Sequence, residues 1–265
     1  MNPTANRVLE KEMVKDKMNK PLVSVIIPAY RCRKTLPEAI DSALIQNVDL
    51  EVLVLNDGLP EDLDDIMESY AQDARVRYLQ NHENLGASGS RNRGIALAEG
   101  EYVAFLDADD RWAPGKLERQ MKLLAESGCV LCCTAREMIN MDGKSTGRII
   151  PVQERISYKD LLKDNSISCS SAVLPTAVAR EFPMEHEDSH EDYIMWLRIL
   201  RKYGSACGIN EPLLQYRIST SGKSGSKLKS AKMTWKVYRY MEFGFLKSIA
   251  CFVCYAYNGV KKHWL

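Results

Sequence analysis

Several absences narrow the field before any motif is considered. No uncharged apolar run approaches the ~20 residues a membrane-spanning helix needs. Residues 1–20 are polar and of mixed charge, and they lack the apolar core of a secretion signal, so a cytoplasmic protein is expected. The four histidines, His82, His186, His190 and His263, show no metal-ligand spacing. There is no internal repeat, and neither a P-loop nor a G-x-S-x-G nucleophile elbow. The tail is nearly devoid of acids: from Lys223 onward Glu242 stands alone against nine Lys or Arg. That tail carries +8, so residues 1–222 carry −7 within an overall charge of +1.

What is present is the composition of a globular chain: 265 residues, 45% hydrophobic and 27% charged, enough to bury a core without disulfide staples. The eight cysteines (Cys32, Cys129, Cys132, Cys133, Cys169, Cys207, Cys251 and Cys254) read as packing thiols. Both C-x-x-C pairs lie in apolar stretches rather than in loops that converge on a zinc ion.

From residue 21 short apolar runs alternate with helical patterns. Leu22–Ile27, Glu51–Leu55, Val76–Leu79 and Tyr102–Leu106 read as buried strands. Helices are expected from Thr35, whose Thr35-x-x-Glu38 spacing suggests a capping box, over Leu63–Tyr70, over Ala87–Ala98 and around Leu117–Leu124. A strand follows at Val130–Cys133. The rhythm implies βαβ units, a mostly parallel sheet flanked by helices, and ligand binding beyond the strands' carboxyl ends. After residue 135 the rhythm breaks. Met141-Asp-Gly-Lys144 signals a hairpin, Ser168–Leu174 and Leu213–Ile218 short strands, and Tyr193–Tyr203 a helix. Ser219–Ser226 reads as a loop, and a helical tail follows.

Four polar clusters fall at the strand ends: Pro28-Ala29-Tyr30, Asn56-Asp57-Gly58, Asn84 to Gly94 (NLGASGSRNRG) and Asp107-Ala108-Asp109-Asp110. Taken singly each has a plain structural reading. Pro28 ends a strand, Asp-Gly makes a turn, Arg91 is a surface arginine, and Asp107-x-Asp109 is an acidic loop before a helix. Two carboxylates at i and i+2 after an apolar strand can also hold a hard divalent cation.

As an ordered set these motifs resemble the family 2 glycosyltransferases, inverting enzymes of GT-A fold, over roughly residues 21–220. The resemblance implies a nucleotide-sugar donor, UDP-linked, with Mn²⁺ or Mg²⁺ as cofactor. It places Pro28, Ala29, Tyr30, Asp57, Asn84, Gly86, Arg91, Asp107, Ala108 and Asp109 around the donor, with Asp57 on the base, Asp107 on the ribose and Asp109 on the metal. Asn56, Leu59, Arg31 and Ser90 depart from the family pattern. Glu191-Asp192 resembles the family's late Glu-Asp pair and implies Asp192 as the general base. Glu191, Trp196 and Arg217 are assigned to the acceptor side, the last within a segment like the family's late Tyr-Arg…Ser loop. For Ser189 and Asp192 a helix-capping reading stands beside the catalytic one.

The expected organisation is an N-terminal extension (1–20), a catalytic domain (21–222, divided at 135 into nucleotide and acceptor halves) and a basic, aromatic tail (223–265). The tail's lysines and interfacial aromatics fit an anionic membrane surface, hence a peripheral position at the inner face of the cell membrane; packing on protein is the other reading. No nucleic-acid motif appears. The function implied is transfer of a sugar to a glycan or polyprenyl-linked acceptor in bacterial surface-polysaccharide synthesis. The alternatives are a non-catalytic nucleotide-sugar-binding partner and a sugar-nucleotide pyrophosphorylase, although the latter's Gly-rich loop is replaced here by PAYRCRK.

Overall fold

The computed structural model describes residues 21–58, 62–218 and 227–264. The expected N-terminal extension and the loop 219–226 lie outside them. A ten-stranded sheet runs through the described residues, with helices on both faces. Its first half is the alternation read from the sequence: β1 (Val23–Ala29), α1 (Leu36–Leu44), β2 (Leu50–Asn56), α2 (Asp64–Glu68), β3 (Val76–Gln80), α3 (Gly86–Leu97) and β4 (Tyr102–Phe105). These four strands are parallel, in the order β3-β2-β1-β4.

Side chains alternate across β1. Val23, Val25, Ile27 and Ala29 enter one core and Ile26 the other, which is why the strand reads as an unbroken apolar run. Ser24 is the polar exception. It donates to Glu51 Oε1 at 2.5 Å and accepts from the Gly100 amide at 2.8 Å, while Arg77 pairs with Glu51 at 2.7 Å. The buried acid is thereby satisfied.

Beyond β4 the sheet is mixed, and the parallel expectation ends. The next elements are β5 (Arg111–Trp112), α4 (Lys116–Ser127), β6 (Leu131–Ile139), β7 (Ser145–Ile150), β8 (Arg155–Ser157), α5 (Tyr158–Leu161), a 3₁₀ turn (Cys169–Ser171), β9 (Val173–Pro175), α6 (Thr176–Glu181), α7 (Glu191–Tyr203) and β10 (Ser205–Arg217). β9 runs antiparallel between β4 and β6, β6 and β10 are parallel, and β5, β7 and β8 pair antiparallel. The expected hairpin forms between β6 and β7, with Gly143 at φ 75°.

Neither anticipated capping box forms. Thr35 caps α1 in position, but its hydroxyl donates to the Cys32 carbonyl. α7 starts after His190, and the Ser189 hydroxyl donates to the His186 carbonyl. The tail is two helices, α8 (Lys227–Tyr240) and α9 (Phe245–Trp264), broken where Glu242 takes φ 59°. α8 buries Met233, Thr234, Val237 and Tyr238 against the body.

Candidate active site

Because β2, β1 and β4 are parallel neighbours, their carboxyl ends open on one edge. The strand-end motifs meet there. Asp57 is buried. Its Oδ1 accepts from Asn81 Nδ2 and from the Leu85 amide, each at 2.8 Å, and its carbonyl accepts from Asn84 Nδ2 at 3.1 Å. The start of α3 is thus tied to the end of β2, with Gly58 and Gly86 taking the positive φ the turns need (83° and 71°). Of the departures from the family pattern, Leu59 lies outside the described residues and Asn56 and Ser90 have partners. Asn56 Nδ2 donates to the Tyr78 hydroxyl at 2.7 Å, and the Ser90 hydroxyl accepts from Asn81 at 2.7 Å. Tyr30 lies exposed just past β1 with the Arg31 guanidinium 5.2 Å from its ring.

Along α3 the Arg91-Asn92-x-Gly94 spacing performs three separate tasks. Arg91 is buried and donates to Asp107 Oδ1 at 2.5 Å and to Glu191 Oε1 at 3.4 Å, joining the loop after β4 to the first turn of α7. Asn92 exchanges two hydrogen bonds with the Met184 backbone, at 2.7 and 2.8 Å, and holds the segment leading to α7. Gly94 lies against β1, where a Cβ would stand 2.5 Å from Ile26 Cγ2.

After β4, one carboxylate oxygen each from Asp107, Asp109 and Asp110 lie within 4.8 Å of one another. This hard oxygen set fits Mg²⁺ or Mn²⁺. Asp110 Oδ2, buried, has no hydrogen-bond partner, as a carboxylate left for a cation would. Burial and the neighbouring Asp107 charge push Asp109 up to about 6, and Asp110 is raised as well. A bound cation would reverse both shifts by supplying the missing positive charge.

Arg217, assigned from the sequence to the acceptor side within a segment like the loop that closes over the diphosphate, has its side chain buried against the acidic loop. Its amide donates to Asp110 Oδ1 at 2.9 Å, Nε to the Asp109 carbonyl at 2.7 Å, Nη1 to the Met141 carbonyl at 2.8 Å, and Nη2 to Glu38 at 2.7 Å. Trp196, also expected beside the acceptor, is fully buried in the core with its ring 6.0 Å from that of Phe105.

Asp192 stands in the first turn of α7, its Oδ1 accepting from the Tyr193 amide at 2.7 Å. Burial and the Glu191 charge raise its carboxyl, while His190 and Arg91 pull it down. Burial raises the Cys169 thiol, and Arg91, bonded to both Asp107 and Glu191, joins the acidic loop to the first turn of α7 in one site. Ser170 beside Cys169 accepts from the Asp107 amide at 3.1 Å and, through its carbonyl, from Trp112 Nε1 at 2.7 Å. Asn81 and Ser170 were missed by sequence reasoning. For Asn81 the one available signal was Ser90, a polar residue where the pattern has Ala.

The segment before α7 supplies a carboxylate to the start of α3. Glu187 Oε1 accepts from the Ala87 amide at 3.0 Å, at the N-terminus of α3.

The pattern of "Glycosyl transferase family 2" matches residues 24–183. The chain is 36% identical to the putative teichuronic acid biosynthesis glycosyltransferase TuaG of Bacillus subtilis, over 92% of this chain and 98% of that one. It is 32% identical to WfaP of Escherichia coli, named as a UDP-Glc:α-D-GlcNAc-diphosphoundecaprenol β-1,3-glucosyltransferase, over 91% and 95% of the two chains. Among solved structures, S. aureus TarS in complex with UDP-GlcNAc superposes with a TM-score of 0.70 at 18% identity, over 88% of this chain and 71% of that one. The mannosyltransferase PcManGT of Pyrobaculum calidifontis, in complex with GDP-Man and Mn²⁺, gives 0.68 at 15% identity, over 97% and 78%. The fold is the GT-A fold, and the chain belongs to glycosyltransferase family 2.

Proposed function

We propose that this protein transfers a sugar from a UDP-sugar, with inversion, to a hydroxyl of a polyprenyl-diphosphate-linked glycan in surface-polysaccharide assembly. One observation carries the reading. Arg91 joins Asp107 of the acidic loop to Glu191, next to Asp192, so donor-side and acceptor-side acids are parts of one construction. The UDP donor and lipid-linked acceptor are supported by the name of WfaP, and the donor also by the UDP-GlcNAc complex of TarS.

Asp57, with Tyr30 beside it, faces the nucleobase. Asp107 takes the ribose, and Pro28, Ala29, Asn84, Gly86 and Ala108 line the donor through backbone and turn geometry. A divalent Mn²⁺ or Mg²⁺ fits at Asp109, with Asp107 and Asp110 within reach, and would neutralise charge on the departing diphosphate. Asp192 accepts the proton of the attacking hydroxyl, and its raised carboxyl brings its basicity closer to what general-base catalysis near neutral pH requires. In-line placement of both substrates supplies much of the rate, and a single displacement inverts the anomeric carbon. Arg217 acts by positioning the acidic loop. The work is done at the inner, cytoplasmic face of a membrane, where such an acceptor resides.

The test is nucleoside diphosphate release from UDP-, GDP- and dTDP-sugars with undecaprenyl-diphosphate-linked GlcNAc as acceptor, with and without Mn²⁺ or Mg²⁺. Metal-dependent release from a UDP-sugar is expected. Asp192→Asn should lower turnover by about 10²–10⁴-fold and leave UDP binding intact. Release that is indifferent to Asp192→Asn would refute its role as base, and failure to bind any nucleotide would refute the donor assignment.

A further inference from the structure

The outer face of α9 is apolar to a degree a solvated helix rarely is. Leu246 is 82% exposed, Val253 61% and Tyr257 70%, with Ile249 at 39% and Phe245 at 65% beside them. Leu246, Ile249, Val253 and Tyr257 recur at the spacing of one helical face. Ala250, Cys254 and Ala256 are also exposed. The opposite face is used within the molecule: Ser248 is buried, and Cys251, Phe252 and Tyr255 pack against the core. Trp235 of α8 meets Phe245 and Phe252 edge-on at 6.2 and 5.8 Å, so α9 is fixed in orientation with its apolar stripe outward.

The surroundings of the stripe are basic. Lys247 is exposed at its flank and 4.0 Å from the Phe243 ring. Lys229, Lys232 and Arg239 are exposed on α8, and the last turns of α9 carry Lys261 and Lys262 in sequence. From residue 223 onward Glu242 is the one acid. An apolar stripe flanked by cations suits the interface of an anionic bilayer, where side chains enter the acyl boundary and lysines meet headgroup phosphates. A second copy of this chain would bring the same positive charge to the same contact and be repelled. No helix among the described residues is long and apolar enough to cross a membrane, which leaves lying on the surface.

We propose that the Leu246–Ile249–Val253–Tyr257 face of α9 docks on an anionic lipid bilayer surface. The proposal deepens, and in its purpose rests on, the reading that the acceptor is lipid-linked.

The experiment is sedimentation of the full-length protein with vesicles of equal parts phosphatidylglycerol and phosphatidylcholine, and with phosphatidylcholine alone. Donor turnover and light scattering are measured on the same preparations. Pelleting with the anionic vesicles at low salt is expected, and a weakening of at least about tenfold in Ile249→Glu/Val253→Glu. The circular dichroism, UDP binding and water-dependent release of UDP by that variant should be those of the wild type. Salt of about 0.5 M should weaken the binding without abolishing it, because the apolar contribution is not screened.

Three results would overturn the proposal. The protein stays in the supernatant at low salt; the double variant pellets like the wild type; or light scattering shows a dimer that the double variant dissociates while no vesicle binding is seen, which assigns the face to a second copy. The two readings fail separately. Vesicle binding without turnover of any donor, with undecaprenyl-diphosphate-linked GlcNAc supplied as acceptor, removes the proposed transfer reaction and leaves the surface, and turnover without vesicle binding does the reverse.

Discussion

Asp192 is an acid placed where ionisation is costly. Burial and the adjacent Glu191 charge raise its carboxyl, with Arg91 as the counter-charge that keeps the pair tolerable. The folded protein therefore binds this proton more tightly than the unfolded chain does. Between the ordinary carboxylate range and the raised value, the folded state holds more proton, so stability falls as pH rises through that window. Asp192→Asn removes the cost. The variant should melt above the wild type at pH 8, with the advantage shrinking as pH falls below the raised value and gone by about pH 3, where both states are protonated. Thermal melts across that range check it; a variant less stable than wild type at every pH would show that Asp192 is not held against its ionisation. The acid limb of the turnover profile should likewise sit above the range of an ordinary aspartate. Asp192, Asp107 and Arg91 stand out in the sequence because each lies in a motif that resembles the family's, and the structure brings Arg91 to Asp107 and Glu191. The burial of Arg217 was not legible there, since its partners Glu38, Asp109 and Met141 come from elements far apart in the chain, and no local pattern records such a convergence.

At the scale of elements, the site depends on how closely α3 lies on β1. Gly94 makes that approach possible, and Arg91 is one turn away on the same helix. In Gly94→Ala the new methyl would stand 2.5 Å from Cγ2 and 3.1 Å from Cγ1 of Ile26, which is itself fully buried. The helix must lift or the strand must shift, and overpacking of this kind costs about 1–3 kcal/mol. Chemical denaturation should read that loss, outweighing the small helix-propensity gain of Ala over Gly. Turnover should fall too, because Arg91 moves with the helix away from Asp107. A variant as stable and active as the wild type would mean the contact is looser than drawn. The elements legible in advance were those with a clear period: the four parallel strands and the helices between them. The two-residue β5, the exposed β7, the 3₁₀ turn and β9 were illegible or blurred, because strands this short or solvated take their conformation from a neighbouring strand rather than from their own apolar pattern.

Across the whole molecule, the tail touches the segment that leads into Asp192, the proposed base. The segment between α6 and α7 carries Glu187 to the start of α3 and leads directly into Glu191 and Asp192. α8 grips it from outside. Tyr240 stacks on His186 with ring centroids 3.7 Å apart and planes within 3°, and its hydroxyl donates to Asp188 at 3.0 Å. Lys236 pairs with Asp188 at 2.5 Å, and His190 Nε2 lies 3.3 Å from both the carbonyl and the hydroxyl of Ser230. The Lys236–Asp188 pair is exposed and screened by solvent, so it holds little; the stack must do most of the holding, with His186 at φ 64° needing a partner to fix its strained turn. Tyr240→Ala should therefore leave UDP binding unchanged, while turnover falls several-fold as Asp192 loses its fixed position. Tyr240→Phe, which keeps the stack and loses only the hydrogen bond, should recover most of the rate. Steady-state kinetics beside UDP titrations separate the outcomes. If Tyr240→Phe is as impaired as Tyr240→Ala, the Asp188 hydrogen bond rather than the stack sets the loop. If neither variant changes turnover, α8 is a passive cover, and events on the tail have no route to the base.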